Sequence, residues 1–182
     1  MPEAISARLV DLIERNADRL TLAWVADVKR RPETPTYHGY PDDALHRRVH
    51  DVYRRLGKWI SRETSVEEIA HVYTALGRQR FAEGFSPSEV LEALILTRRH
   101  LWLLVLKEGF LETALDLQAA LDLNARAVLF FDRSMYYSAL GFEQAAAEAA
   151  DRQGPAQQSA QQAPAQPPAR GWFDWLQQRR SG

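Results

Sequence analysis

Residues 86–106, SPSEVLEALILTRRHLWLLVL, set the tightest limits on what this chain can fold into. Ser86 stands where a helix N-cap belongs, Pro87 suits the first helical position, and Glu89 completes a capping box with Ser86. Behind that start Val90, Leu91, Leu94, Ile95, Leu101, Leu104 and Val105 recur at helical spacing. Leu96, Trp102, Leu103 and Leu106 fill other faces, so the second half is apolar nearly all round. Such a helix is either the buried centre of a domain or a membrane span. Glu92, Arg98, Arg99 and His100 interrupt the run, and the longest clean stretch, 101–106, falls far short of the ~20 residues a span needs. The reading is a buried central helix.

The preceding turn is equally well specified. Phe81, Ala82 and Glu83 end a helical pattern, and Gly84 sits where a helix C-terminus wants a residue with φ > 0. Phe85 is then free to pack back onto the turn it leaves.

Periodicity predicts four further helices. The first covers residues 5–29, with Leu9, Leu12, Ile13, Leu20, Trp24 and Val28 on one face and Pro32 as its stop. Residues 33–40 form a loop with aromatic anchors. The second helix runs over 41–62, with Leu45, Val49, Val52, Leu56, Trp59 and Ile60 inward. Thr64 or Ser65 caps a third, which carries Glu67 and Glu68 in its first turn, where acids suit the helix dipole. The last runs from 112 to about 150, with Leu115, Leu117, Leu121, Val128, Phe131 and Met135 as much of its buried face and either a bend near Gly141 or a projecting end expected. No segment alternates as a strand does, and no Gly-rich phosphate loop follows one. Residues 1–150 therefore read as one all-α domain of about five long helices in a helical bundle.

Composition narrows the function. A chain of 182 residues, 46% hydrophobic, suits one domain plus a tail. A formal net charge of −1 provides no field to recruit nucleic acid. The absence of cysteine removes disulfides, thiol nucleophiles and thiolate metal sites, and fits a reducing cytoplasm. The N-terminus lacks a basic stretch followed by an apolar one, so neither a signal peptide nor a membrane span is expected.

Composition shifts at Asp151. Residues 151–170 read as a disordered Gln/Pro/Ala linker, with no large apolar side chain to offset the entropy of ordering. Residues 171–182, GWFDWLQQRRSG, are expected to form a short aromatic helix that docks on a partner protein. A helix would place Trp172, Phe173, Trp175 and Leu176 on one side, and Trp is a typical anchor of binding hot spots. Two other outcomes stay open. The peptide could fold back on its own domain, or settle at the inner membrane face with Arg179 and Arg180 on anionic lipid, in or beside a membrane-associated complex.

The run Gly77, Arg78, Gln79, Arg80, then Glu83, Gly84, Phe85, then Glu89, Val90, Leu91, then Arg98, Arg99, His100, Leu101, Trp102 resembles the N-terminal domain of the RsbR/RsbRD proteins. Asn16, Ala17, Asp18 and Trp24 are similar to that family's opening helix. The resemblance covers roughly residues 5 to 145. It implies a globin-like sensor fold, often a homodimer, acting as the signal-input end of RsbT co-antagonists in bacterial stressosomes, without enzyme activity. The family usually carries a C-terminal STAS domain; here a linker and an aromatic peptide are expected in its place.

Candidate chemistry is sparse. His46 and His50, at i and i+4, have a spacing that can share a metal, but Arg47 and Arg48 between them oppose a cation. A solvated basic face is the reading, and no metal is expected. A globin-like pocket raises haem, which needs an inward imidazole. His71 and His100 are the candidates, although a lone histidine on a helix is more often structural, so no cofactor is the expectation and haem the alternative. A small-ligand pocket would draw on His71, Arg98, His100 and Trp102. Arg98, Arg99, Arg78 and Arg80 with Glu89 and Glu92 could face an anion, but read first as ion pairs fixing a helix crossing. Tyr136, Tyr137, Phe130 and Phe131 read as core or dimer interface. No arrangement of nucleophile, base and acid supports catalysis.

Overall fold

The computed structural model describes residues 2–61, 64–109 and 111–161. Its elements are α1 (Pro2–Arg15), α2 (Ala17–Val28), a 3-10 turn (Pro35–Gly39), α3 (Asp42–Arg54), α4 (Leu56–Trp59), α5 (Val66–Ala82), α6 (Pro87–Glu108) and α7 (Ala114–Gln161). The chain is all-α, with no strand among the described residues. It divides into two units, Met1–Ala146 and Ala147–Gly182. α7 continues through residues 151–161, the first part of the expected linker. Residues 162–182, including Trp172, Phe173, Trp175 and Leu176, lie outside the described residues.

Two expected helices are each split in two. The first breaks at Asn16, whose backbone (φ −99°, ψ 15°) leaves the helical region while its side-chain amide donates to the Leu12 carbonyl at 2.8 Å. Asparagine competes well for such local bonds. The apolar stripe survives the break: Leu9, Ile13, Ala17, Leu20, Trp24 and Val28 are all buried. The second breaks at Arg55 (φ −125°, ψ 29°), and the Glu14 carboxylate accepts from the Gly57 N–H beyond it at 2.9 Å.

The central turn forms as its residues dictate. Gly84 has φ 82°, the Phe85 N–H donates to the Arg80 carbonyl at 3.1 Å, and the Gly84 N–H donates to that of Phe81 at 3.0 Å. These are the paired bonds of a Schellman end. Ser86 and Glu89 then make both halves of the capping box. Ser65, rather than Thr64, caps α5 by accepting from the Glu68 N–H at 3.1 Å. Ser65→Ala is expected to lower stability by about 1 kcal/mol in a denaturant titration. An unchanged midpoint would show that the cap is replaced by solvent.

α6 is the central helix, burying Val90, Ala93, Leu94, Leu96, Thr97, Leu101, Leu104 and Val105. Its burial is not all-round, since Ile95, Leu103 and Leu106 are exposed. Among the described residues no helix is long and apolar enough to cross a membrane.

α7 departs most from expectation. Leu115, Leu117 and Leu121 are exposed. Phe131 is buried as expected, and the rest of the buried stripe is Ala119, Ala120, Leu123, Ala127, Phe130, Ser134, Ser138 and Ala145. Mostly small residues face inward because α7 crosses α5 with almost no room. A Cβ at Gly77 would stand 2.0 Å from the Ser138 carbonyl oxygen, and one at Gly141 would stand 2.1 Å from that of Thr74. Gly141 is a point of helix contact, and α7 stays helical through it. Phe81 and Phe142 meet edge to face beside the crossing, with centroids 5.2 Å apart.

Candidate functional site

A cavity of about 390 Å³ opens among α2, α3, α4, α5 and α6. Helical spacing selects its walls. On α6 they are Val90, Ala93, Leu94 and Thr97, one face of the helix at i, i+3, i+4 and i+7. On α5 they are Val72, Tyr73, Ala75, Leu76, Gln79 and Arg80. α3 adds Arg48, Val49, Asp51 and Val52, while Trp24, Tyr37 and Trp59 come from α2, the 3-10 turn and α4. Most of this wall is apolar or aromatic.

The rings are fixed by their polar ends. The Trp24 indole N–H donates to the Ala93 carbonyl at 2.9 Å. Tyr37 packs edge-on to Trp24 with centroids 5.9 Å apart, and against Phe85 at 4.6 Å. Trp59 and Tyr73 both contact Phe130 of α7, at 5.7 Å each. Burial pushes the Tyr37 phenol up to about 12, only partly opposed by Arg80 and Arg48. Burial likewise pushes Tyr73 up to about 12, against the opposing bond with the Ser134 hydroxyl. Both phenols are therefore neutral at physiological pH and serve as walls.

One end of the cavity is charged, and the central turn supplies its anion. Glu83 accepts from Arg80 Nη1 at 2.7 Å, from Arg48 Nη2 at 3.1 Å and from Gln79 Nε2 at 2.9 Å. Arg48 Nη1 lies 3.1 Å from Glu83 Oε2 but off hydrogen-bond geometry, and it is buried with no hydrogen-bond partner. The Arg48 guanidinium stands over the Tyr40 ring at 4.5 Å and the Phe85 ring at 5.6 Å, and that of Arg80 is 5.7 Å from Phe85. Glu89, nearby, gives both its oxygens to Thr36 and Ser86. Asp51 is on the exposed rim, 3.9 Å from Arg55.

The structure does not bring His71, Arg98, His100 and Trp102 to this cavity. His71 is exposed, two residues before Tyr73 and so on another side of α5. Arg98 turns to Asp132 of α7 at 3.2 Å. His100 turns to α2, its Nε2 2.9 Å from Asp27 Oδ2, and burial lowers its pKa against the pull of Asp27. Trp102 packs half-buried against the core. No histidine is among the residues that line this cavity. Among the other charges, Glu92 pairs with Arg31 at 3.5 Å. Phe130 and Phe131 are core, whereas Tyr136 is exposed.

His46 and His50 stack with centroids 5.0 Å apart, and each Nε2 is 3.3 Å from Asp18 Oδ1. No group of three or more potential ligands is arranged to hold a metal among the described residues. Arg48, expected on a solvated face with its neighbours, is instead half-buried in the cavity wall beside Arg80. The signal that could have found it is the pair of rings, Tyr40 and Phe85, that a guanidinium covers well.

Compared with known proteins, the sequence matches over residues 5–157 the family described as RsbT co-antagonist protein rsbRD N-terminal domain. The chain belongs to this family. No curated protein and no solved structure gives a significant match. The rsbRD N-terminal domain is a regulatory module, and the match covers all the elements that line the cavity.

Proposed function

We propose that this rsbRD-type chain is a non-enzymatic sensory module. The cavity among α2–α6 takes a small ligand, and residues 171–182 dock on a partner protein. The observation that carries the reading is an apolar, ring-walled space of about 390 Å³, within the range of small-molecule sites, at one end of which a buried guanidinium, Arg80, and a half-buried one, Arg48, share a single carboxylate. Nothing in the wall pairs a nucleophile with a base, so its chemistry is that of binding.

The same elements provide a route for the signal. α5 lines the cavity with Val72, Tyr73, Leu76 and Arg80, and one residue beyond Leu76 it meets α7 at the Gly77–Gly141 crossing. Trp59 and Tyr73 touch both the cavity and Phe130 of α7. A ligand that displaces these rings acts on α7, the helix that leads toward the C-terminal peptide. Packed helices answer such pushes by shifting between discrete arrangements.

The family description names RsbT, which makes an RsbT-type protein of the same organism the first bait. The test is its binding to the full chain, to Trp172→Ala/Trp175→Ala, and to Ala93→Phe, which fills the cavity. Binding is expected to fall at least tenfold with the first variant and to change several-fold with the second, with both retaining their helical circular dichroism. Equal binding by all three would overturn the reading.

A further inference from the structure

Resting on the reading of the cavity as a ligand site, we infer that its ligand is an apolar monocarboxylic acid, such as a medium-chain fatty acid. The alkyl chain lies among the rings and the carboxylate meets Arg48.

The polarity of the two ends leads to this class. The wall of Trp24, Trp59, Tyr73 and Leu94 suits a hydrocarbon. The polar groups at the other end, Arg48, Arg80 and Gln79, converge as donors on Glu83. Two guanidiniums in the wall share this one carboxylate, so the pair leaves a net positive charge there, and Arg48 Nη1, 3.1 Å from Glu83 Oε2, makes no hydrogen bond with it. A buried guanidinium with an unsatisfied N–H is costly, and a carboxylate is the group whose two oxygens match its fork. Glu83 Oε2 stands 3.1 Å from Nη1 without hydrogen-bond geometry and is shared with Arg80, and the other surrounding acids are engaged elsewhere. Glu89 is saturated by Thr36 and Ser86, and Asp51 is held at the rim near Arg55.

Both guanidiniums are deep enough for this to matter, with side chains 16% exposed at Arg48 and 6% at Arg80. Charge-assisted bonds there are weakly screened. Size agrees as well. A volume of about 390 Å³ is within the range of small-molecule sites and suits a ligand the size of decanoate.

The test uses the full chain with decanoate, and 1-decanol as its uncharged counterpart. Trp24 and Trp59 line the cavity, so tryptophan fluorescence follows occupancy, and calorimetry measures affinity. Decanoate is expected to bind saturably and at least tenfold more tightly than decanol. Arg48→Gln is expected to remove that preference by weakening decanoate far more than decanol, and Arg48→Lys to keep part of it. Leu94→Trp, which fills the apolar end, is expected to abolish both. Should Arg48→Gln fail to fold, Arg48→Lys still tests whether the guanidinium fork matters.

Equal binding of decanoate and decanol to the unaltered chain would overturn the carboxylate inference while leaving the ligand site standing. Saturable decanoate binding that survives Leu94→Trp would overturn the placement in this cavity. Binding of neither probe would overturn the inference.

Discussion

Gly77→Ala and Gly141→Ala are each expected to lower stability by about 3 kcal/mol or more, although alanine is the better helix former. On propensity alone each substitution inside a helix would gain about 1 kcal/mol. Contact decides the opposite sign. A Cβ at 77 would lie 2.0 Å from the Ser138 carbonyl oxygen and 2.8 Å from the Phe142 nitrogen. One at 141 would lie 2.1 Å from the Thr74 carbonyl oxygen and 2.9 Å from Thr74 Cα. These are backbone atoms, which no rotamer change can move aside. The helices must separate, losing contacts such as Phe81 with Phe142, and overpacking of this kind costs about 1–3 kcal/mol or more. For a chain of this size each kcal/mol is worth about 2–4 °C, so thermal midpoints should fall by roughly 6–12 °C. The double variant should cost less than the two singles together, because helices already forced apart admit the second methyl cheaply. Gly39→Ala is the control: nothing lies within 4 Å of its added Cβ, and its midpoint should hold. Gains in stability at 77 and 141 would show that the crossing is looser than described.

The same crossing shows what could be read from residues alone. Signals confined to a few neighbours were legible: the glycine with positive φ, the capping box at Ser86 and Glu89, and the start and stop of α6. Each depends on bonds spanning five residues or fewer. The inward stripe of α7 was not legible, because ranking its residues by apolar character selects Leu115, Leu117 and Leu121. A close helix crossing selects for small side chains instead, and Ala119, Ala120, Ala127, Ser134, Ser138 and Gly141 supply them. The relevant signal was the spacing of small residues together with a glycine on the facing helix, which no reading of one helix can pair.

The cavity was hidden for a related reason. Its wall draws on four helices, a short helical turn and a 3-10 turn, and its charged end joins Arg48 to a glutamate 35 residues later. Basic residues at 47 and 48 look alike in sequence. In the structure Arg47 extends to Asp43 in solvent, whereas Arg48 turns under Tyr40 and Phe85. One position, about 100° around a helix, separates a surface charge from a candidate ligand-binding one. His71 and His100 illustrate the converse, since apolar neighbours in sequence did not bring either to the cavity.

Glu89→Ala is expected to cost about 3 kcal/mol and to remove part of the protein's sensitivity to acid. Glu89 is buried and holds two segments of chain at once. Its Oε1 accepts from the Thr36 N–H at 2.6 Å. Its Oε2 accepts from the Thr36 hydroxyl at 3.0 Å, the Ser86 N–H at 2.9 Å and the Ser86 hydroxyl at 3.0 Å. Removing the carboxylate ends the capping box of α6 and also frees the 3-10 turn that carries Tyr37, a wall of the cavity. Bonds to a charged acceptor are worth about 1.5–3 kcal/mol each, and the N–H groups left behind are part-buried. Glu89→Gln, with one oxygen in place of two, should lie between. The pH dependence follows from the direction of the shift. Burial raises the pKa of this carboxyl, but the bonds from Ser86 and Thr36 outweigh it, and the net value is below the ordinary 4.5. A carboxylate with a lowered folded pKa stabilises fully above the ordinary value, and that contribution is lost as pH falls from about 4.5 through the folded pKa. Denaturant titrations from pH 7 down to pH 3 should therefore show a shallower acid loss for Glu89→Gln than for the unaltered chain, with the largest gap between them at neutral pH. If the two curves run parallel throughout, the ionised form is not what holds Thr36 to Ser86.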